Sequence, residues 1–294
     1  MNIEPFFVPY TALDRLPGQR VWVLAPHADD EVFGCGASLA LLAAAGAEIR
    51  VCVVTGGAAC GSTQGDIIEQ RERESHAAAA ILGYPAPDFW RLEDGQLARD
   101  RTALETRLAQ YLNGWQPDLV LAPSPWEMHP DHRALAEALL ARLDLLDGTC
   151  QLALYEVGNP LQPNSLIGLS TEMLALKQQA MACFVSQEAL NNYAQVIAAL
   201  NRFRTYTLSG YAAAEAFLLL SRDAAMACFG REMPSRLSLA LHQAKREIAA
   251  AQAAQYQAEA RLVALQASRS WRITEPLRQL ASCWRRLSPR SAGQ

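Results

Sequence analysis

Between residues 20 and 157 the chain alternates short β-branched or apolar runs with longer helical stretches, a pattern that confines it to βαβ units around a mostly parallel sheet. The spacing predicts strands at 21–25, 49–55, 88–92, 118–122 and 152–157. Between them it predicts a helix containing 39–45 and stopped by Gly46, a helix at 66–82 closed by Gly83, one at 100–114, and one running to about Leu146. Residues 170–184 and 188–206 also read as helices, as do the alanine-rich runs LALLAAAGA and AAAEAFLLL, taken as core-facing.

The 294 residues allow one large domain or one domain plus an appendage. A formal charge of −4 argues against a nucleic-acid backbone as the main partner, which would need a basic face. Seven cysteines without a single C-x-x-C pair exclude a disulfide framework or a thiolate zinc site. No basic-then-apolar leader opens the sequence, and no apolar run approaches the ~20 residues of a spanning helix. A cytoplasmic protein with reduced thiols is expected.

After Pro234 the pattern changes. Leu241, Ala244, Ile248, Ala251, Gln255, Ala258, Leu262 and Leu265 recur at alternating spacings of three and four, the seam of a coiled coil over 235–268. Residues 269–294 hold six arginines against one acid, with Trp271 and Trp284 between them, a mix suited to anionic headgroups. The expected organisation is a catalytic domain at 1–230, a coiled-coil helix at 235–268 able to pair copies of the chain, and a basic tail at 269–294 able to touch a membrane surface.

Two segments carry metal-type ligands just beyond predicted buried strands, where open α/β sheets bind their ligands. They are Pro26-His27-Ala28-Asp29-Asp30-Glu31 and His129-Pro130-Asp131-His132, which hold three of the five histidines. His27, Asp30 and His132 supply the three N or O ligands of a catalytic zinc site. Asp29 is placed to take a proton from water as general base, and His129 to steady a developing oxyanion. Asp131 orients a ligand ring. Tyr155 and Glu156, ending a strand on the same sheet edge, are candidates for substrate contact. Gly34-Cys35-Gly36 starts like a dinucleotide fingerprint, but Leu39 stands at the third glycine position and the loop before it is acidic.

The segment APHADDEVFGCGASLALLAAAG resembles the first motif of the PIG-L/LmbE family of zinc-dependent N-deacetylases, and MHPDH matches its second. The resemblance implies zinc or another divalent metal on His27, Asp30 and His132, Asp29 as base, and His129 as oxyanion partner or acid. Ala28 departs from the family's usual proline, a change that loosens the loop without removing a ligand. Arg71 lies in a segment resembling the family's Arg-Glu-rich helix, which implies a substrate contact; Lys177 to Gln187 and the AEAF at 214–217 resemble later family blocks. SRSWRITEPLRQL resembles an ending of bacterial glycosyltransferases and related enzymes of surface-polysaccharide assembly.

These readings together predict a Rossmann-like α/β fold, with a mostly parallel sheet and helices on both faces, that removes an N-acetyl group from a GlcNAc-type amino sugar. Two rivals stand beside it. One is an amidase of a thiol-sugar conjugate or another amide, and the other a non-catalytic assembly protein working through the coiled coil.

Overall fold

In the computed structural model, residues 10–57, 64–189 and 191–229 are described, together with 255–258, 260, 261 and 264. Eight strands form one sheet: β1 (Thr11–Leu13), β2 (Arg20–Ala25), β3 (Glu48–Thr55), β4 (Asp88–Leu92), β5 (Leu119–Pro123), β6 (Gln151–Tyr155), β7 (Ser165–Leu169) and β8 (Ala213–Ser221). Their order is β1-β7-β8-β6-β5-β2-β3-β4, and every pairing is parallel except those of β8 with β6 and β7.

The helices are α1 (Asp30–Ala44), α2 (Gln64–Leu82), α3 (Arg101–Leu112), α4 (Pro130–Ala141), α5 (Thr171–Met181), the single turn α6 (Val185–Glu188), α7 (Tyr193–Phe203) and α8 (Arg222–Phe229). Strand alternation divides the core into two. Val21, Val23, Leu119 and Leu121 pack with α1, α2 and α5, while Trp22, Leu24, Val120 and Ala122 pack with α3 and α4. Both sheet faces are therefore covered, which is why the central strands read as unbroken apolar runs.

AAAEAFLLL is a strand, β8, and not the helix its composition suggests. It lies between β6 and β7 with both faces packed, so tertiary burial overrides the helix preference of Ala, Glu and Leu. The stretch 188–206 divides into α6 and α7, and β1 and β7 had no counterpart in the sequence pattern. Most of the predicted coiled coil at 235–268 and all of the basic tail at 269–294 lie outside the described residues; those described at 255–264 are helical and exposed.

β2 pairs with β3 on one side and β5 on the other, so the winding direction reverses between β2 and β5. The loops leaving the C-terminal ends of these two strands meet over that crevice.

Candidate metal centre

The loop after β2 carries His27 and Asp29, and Asp30 begins α1. The loop after β5 carries His129, which caps α4, and His132 lies in the first turn of that helix. Three side-chain atoms converge. His27 Nδ1 lies 3.2 Å from Asp30 Oδ2, His132 Nε2 lies 3.1 Å from the same oxygen, and the two ring nitrogens are 3.3 Å apart. A tetrahedral zinc with ligands at about 2.0–2.1 Å has ligand–ligand edges of about 3.3 Å, so this triangle fits one face of such a site.

Electrostatics explains why these groups tolerate burial together. Burial pulls His27 and His132 toward neutrality, but the surrounding carboxylates outweigh it. His27 is raised well above 6.5 by Asp131, Asp30 and Asp94, and His132 to about 9, chiefly by Asp30. Burial would raise Asp30, yet the two histidines hold it far below the carboxylate range. Such a set of paired charges suits replacement of the protons by a cation.

His27 Nε2, on the other side of its ring, lies 3.1 Å from Asp94 Oδ1 and 3.5 Å from Asp131 Oδ2. Asp131 also accepts from Gly95 N at 2.6 Å and Leu97 N at 3.2 Å, so it anchors the loop that carries Asp94. Asp94 was missed by the sequence reading. Its one signal is position: it follows β4 in an Asp-Gly turn, at the same end of the sheet.

Asp29 stands beside the triangle with φ +140°, in a backbone region that disfavours a side chain. Its N–H donates to Glu31 Oε2 at 3.0 Å, and Ser75 Oγ donates to Glu31 Oε1 at 2.5 Å, so Glu31 holds the unusual turn from beneath. Burial, followed by the charge of Asp30, raises the Asp29 carboxyl well above its ordinary value. Burial likewise pushes Glu31 up to about 7. Arg71 is buried, lies close enough to favour the charged form of Asp29, and is gripped by the Gln187 amide carbonyl at 2.7 and 2.8 Å.

Asp131 N donates to His129 Nδ1 at 3.2 Å. The neutral ring therefore keeps its proton on Nε2. Burial and then the positive neighbours His27 and His132 lower its basicity, which favours that neutral donor. Glu127, also unforeseen, is buried and accepts from Val157 N at 2.7 Å and Gly158 N at 2.9 Å, tying the β5 loop to the loop after β6.

Two sequence candidates fall elsewhere. Tyr155 is fully buried and spends its hydroxyl on Leu24 O at 2.8 Å. Glu156 is buried, paired with Arg204, and accepts from Leu161 N at 2.7 Å. Both side chains are buried and engaged within the domain. The strand end put them at the right edge, but side-chain direction turned them inward.

Comparison with known structures gives the same architecture. An N,N'-diacetylchitobiose deacetylase from Pyrococcus horikoshii is similar at 22% identity and TM-score 0.62, over 70% of this chain and 85% of that one. A conserved protein from Thermus thermophilus is similar at 28% identity and TM-score 0.59, over 68% and 94%. GalB, a 4-carboxy-2-hydroxymuconate hydratase from Pseudomonas putida, is similar at 22% identity and TM-score 0.56, over 68% and 96%. The PIG-L family model, described as GlcNAc-PI de-N-acetylase, matches residues 22–143, the span that carries both loops of the candidate site. Over residues 22–143 the chain is therefore similar to the PIG-L family.

Proposed function

We propose that the protein is a metal-dependent hydrolase that removes the N-acetyl group of a GlcNAc-type amino sugar, with zinc on His27 Nδ1, Asp30 and His132 Nε2. The observation that carries this reading is the three-atom triangle with an unshared carboxyl beside it: among the described residues, no hydrogen bond engages the Asp29 carboxylate. The fold by itself does not choose the reaction, because a hydratase shares it. The family match over both loops supports amide cleavage.

A divalent ion at this site supplies Lewis acidity, lowering the pKa of water to about 7 and polarising a carbonyl. Asp29, buried beside the triangle, takes the proton of the attacking water and returns it to the departing nitrogen. His129 presents Nε2–H to the carbonyl oxygen as it gains negative charge. Asp94 and Asp131 keep the His27 ring turned toward Asp30. Arg71, held by Gln187, lies near Asp29, and we assign it to binding the sugar.

The free amine produced suits a step in the assembly of a surface glycan or glycoconjugate, where the tail's resemblance also points. The test joins metal analysis with acetate release from UDP-GlcNAc and simpler N-acetyl sugars. Asp29→Ala should keep about wild-type metal and lose about 10²–10⁴ in kcat, the usual contribution of a general base. His132→Ala should lose the metal. Wild-type activity in Asp29→Ala would sink its role as base, and metal without acetate release from any of these sugars would sink the proposed substrate class.

A further inference from the structure

Outside the metal site, a fully buried ion pair sits where α1 is interrupted. The helix has non-helical dihedrals at Cys35, which separate the turn 30–34 from the rest of the element. In an unbroken helix the N–H groups of Ala37 and Ser38 would bond the carbonyls of Phe33 and Gly34. Here they donate to Glu215 on β8, at 2.9 and 2.8 Å. Phe33 O receives Lys177 Nζ from α5 instead, at 2.9 Å. Lys177 also donates to Glu215 Oε1 at 2.7 Å and to Asn201 Oδ1 on α7 at 3.0 Å, and Ser38 Oγ donates to Glu215 Oε2 at 2.6 Å.

The pair has thus entered the hydrogen-bond ladder, the ammonium replacing a helical N–H and the carboxylate replacing two helical carbonyls. All three ammonium protons and four carboxylate acceptor positions are used, and neither side chain is exposed. Burying such a pair adds little net stability, since its desolvation roughly offsets its attraction. What it does supply is a fixed position for Phe33 O. The amides of Val32 and Phe33 bond Asp29 O at 2.9 and 2.8 Å, so the turn fixed through Phe33 is the one that carries Asp29 and Asp30.

We propose that Lys177 and Glu215 are positioning residues for the metal loop, holding the first turn of α1 across the break at Cys35; this rests on reading His27, Asp30 and His132 as the ligands. Both residues, with Asn201, lie outside the span 22–143 that matches the family. These two residues from the region after 143 then support the metal loop without touching the ligands.

Cobalt(II) titrated into the metal-stripped full-length chain tests this, read as affinity and as the visible absorption of the bound ion. Lys177→Met and Glu215→Gln should each weaken cobalt binding at least tenfold and alter the absorption band. Leu108→Ala, in the core on the opposite sheet face, is the control: it should lower the melting temperature and leave cobalt affinity unchanged. Should Lys177→Met fail to fold, the near-isosteric Glu215→Gln carries the test. Lower melting with wild-type cobalt affinity and spectrum in both variants would overturn the proposal, as would an equal loss of affinity in Leu108→Ala. Cobalt binding by the wild type without acetate release would count against the deacetylase reading alone.

Discussion

At Asp29, stability and chemistry are opposed. A non-glycine residue at φ +140° costs of order 1–3 kcal/mol, and the side chain it carries is a buried carboxyl held beside another. Asp29→Gly removes both burdens and removes the base. The variant should melt about 2–4 °C higher for each kcal/mol regained and lose acetate release; a lower melting temperature would mean that the side chain, despite its setting, stabilises the turn. The histidines make a second residue-scale prediction. His132 has its pKa raised to about 9, so it holds a proton at pH 7 that a metal must displace. Metal affinity should therefore rise with pH from 7 toward 9, by up to about tenfold per unit for the proton that His132 releases. Calorimetry in buffers of different ionisation enthalpy counts the protons directly; a pH-independent affinity would mean that the ligands are already unprotonated. These residues were legible because two short motifs hold them. Asp94 and Glu127 were not, since their roles come from a ring nitrogen and two backbone amides that only the folded chain brings to them.

At the scale of elements, α1 shows how packing overrules local preference. Gly34 sits inside a helix, where alanine is intrinsically better by roughly 1 kcal/mol. A Cβ there would lie 2.7 Å from Tyr155 Cε2 and nearer still to Cδ2. Tyr155 cannot withdraw without giving up its bond to Leu24 O on β2. Gly34→Ala should consequently destabilise the domain by about 1–3 kcal/mol, the cost of overpacking a filled core, as a denaturant melt would read. Gain of stability would show that the ring has room to move. The glycine that looks like part of a nucleotide fingerprint is thus explained by contact with β6. The same override hid β8. Its Ala-Glu-Leu composition is that of a helix, and it becomes a strand because small residues fit between β6 and β7 while Glu215 meets Lys177. By contrast β2, β3 and β5 were readable within about a residue, because strands buried on both faces announce themselves as unbroken apolar runs.

For the molecule as a whole, the question is whether the α/β unit associates through its own sheet. Its edges argue against that. β1 contributes three residues, and β4 is interrupted by a register shift against β3 and by Arg91 at φ +55°, whose guanidinium pairs with Glu72. Short, irregular and charged edges resist pairing with a second sheet. We propose that any oligomer forms through the heptad seam that the sequence places at 235–268, in the unit Ser235–Gln294. The full chain should sediment as an oligomer, and a chain ending at Phe229 as a monomer that still binds metal, because both candidate loops and the buried pair beneath them lie before that residue. A monomer in both cases would remove the coiled coil as an assembly device. An oligomer in both would place the interface on the α/β unit itself, despite its guarded edges.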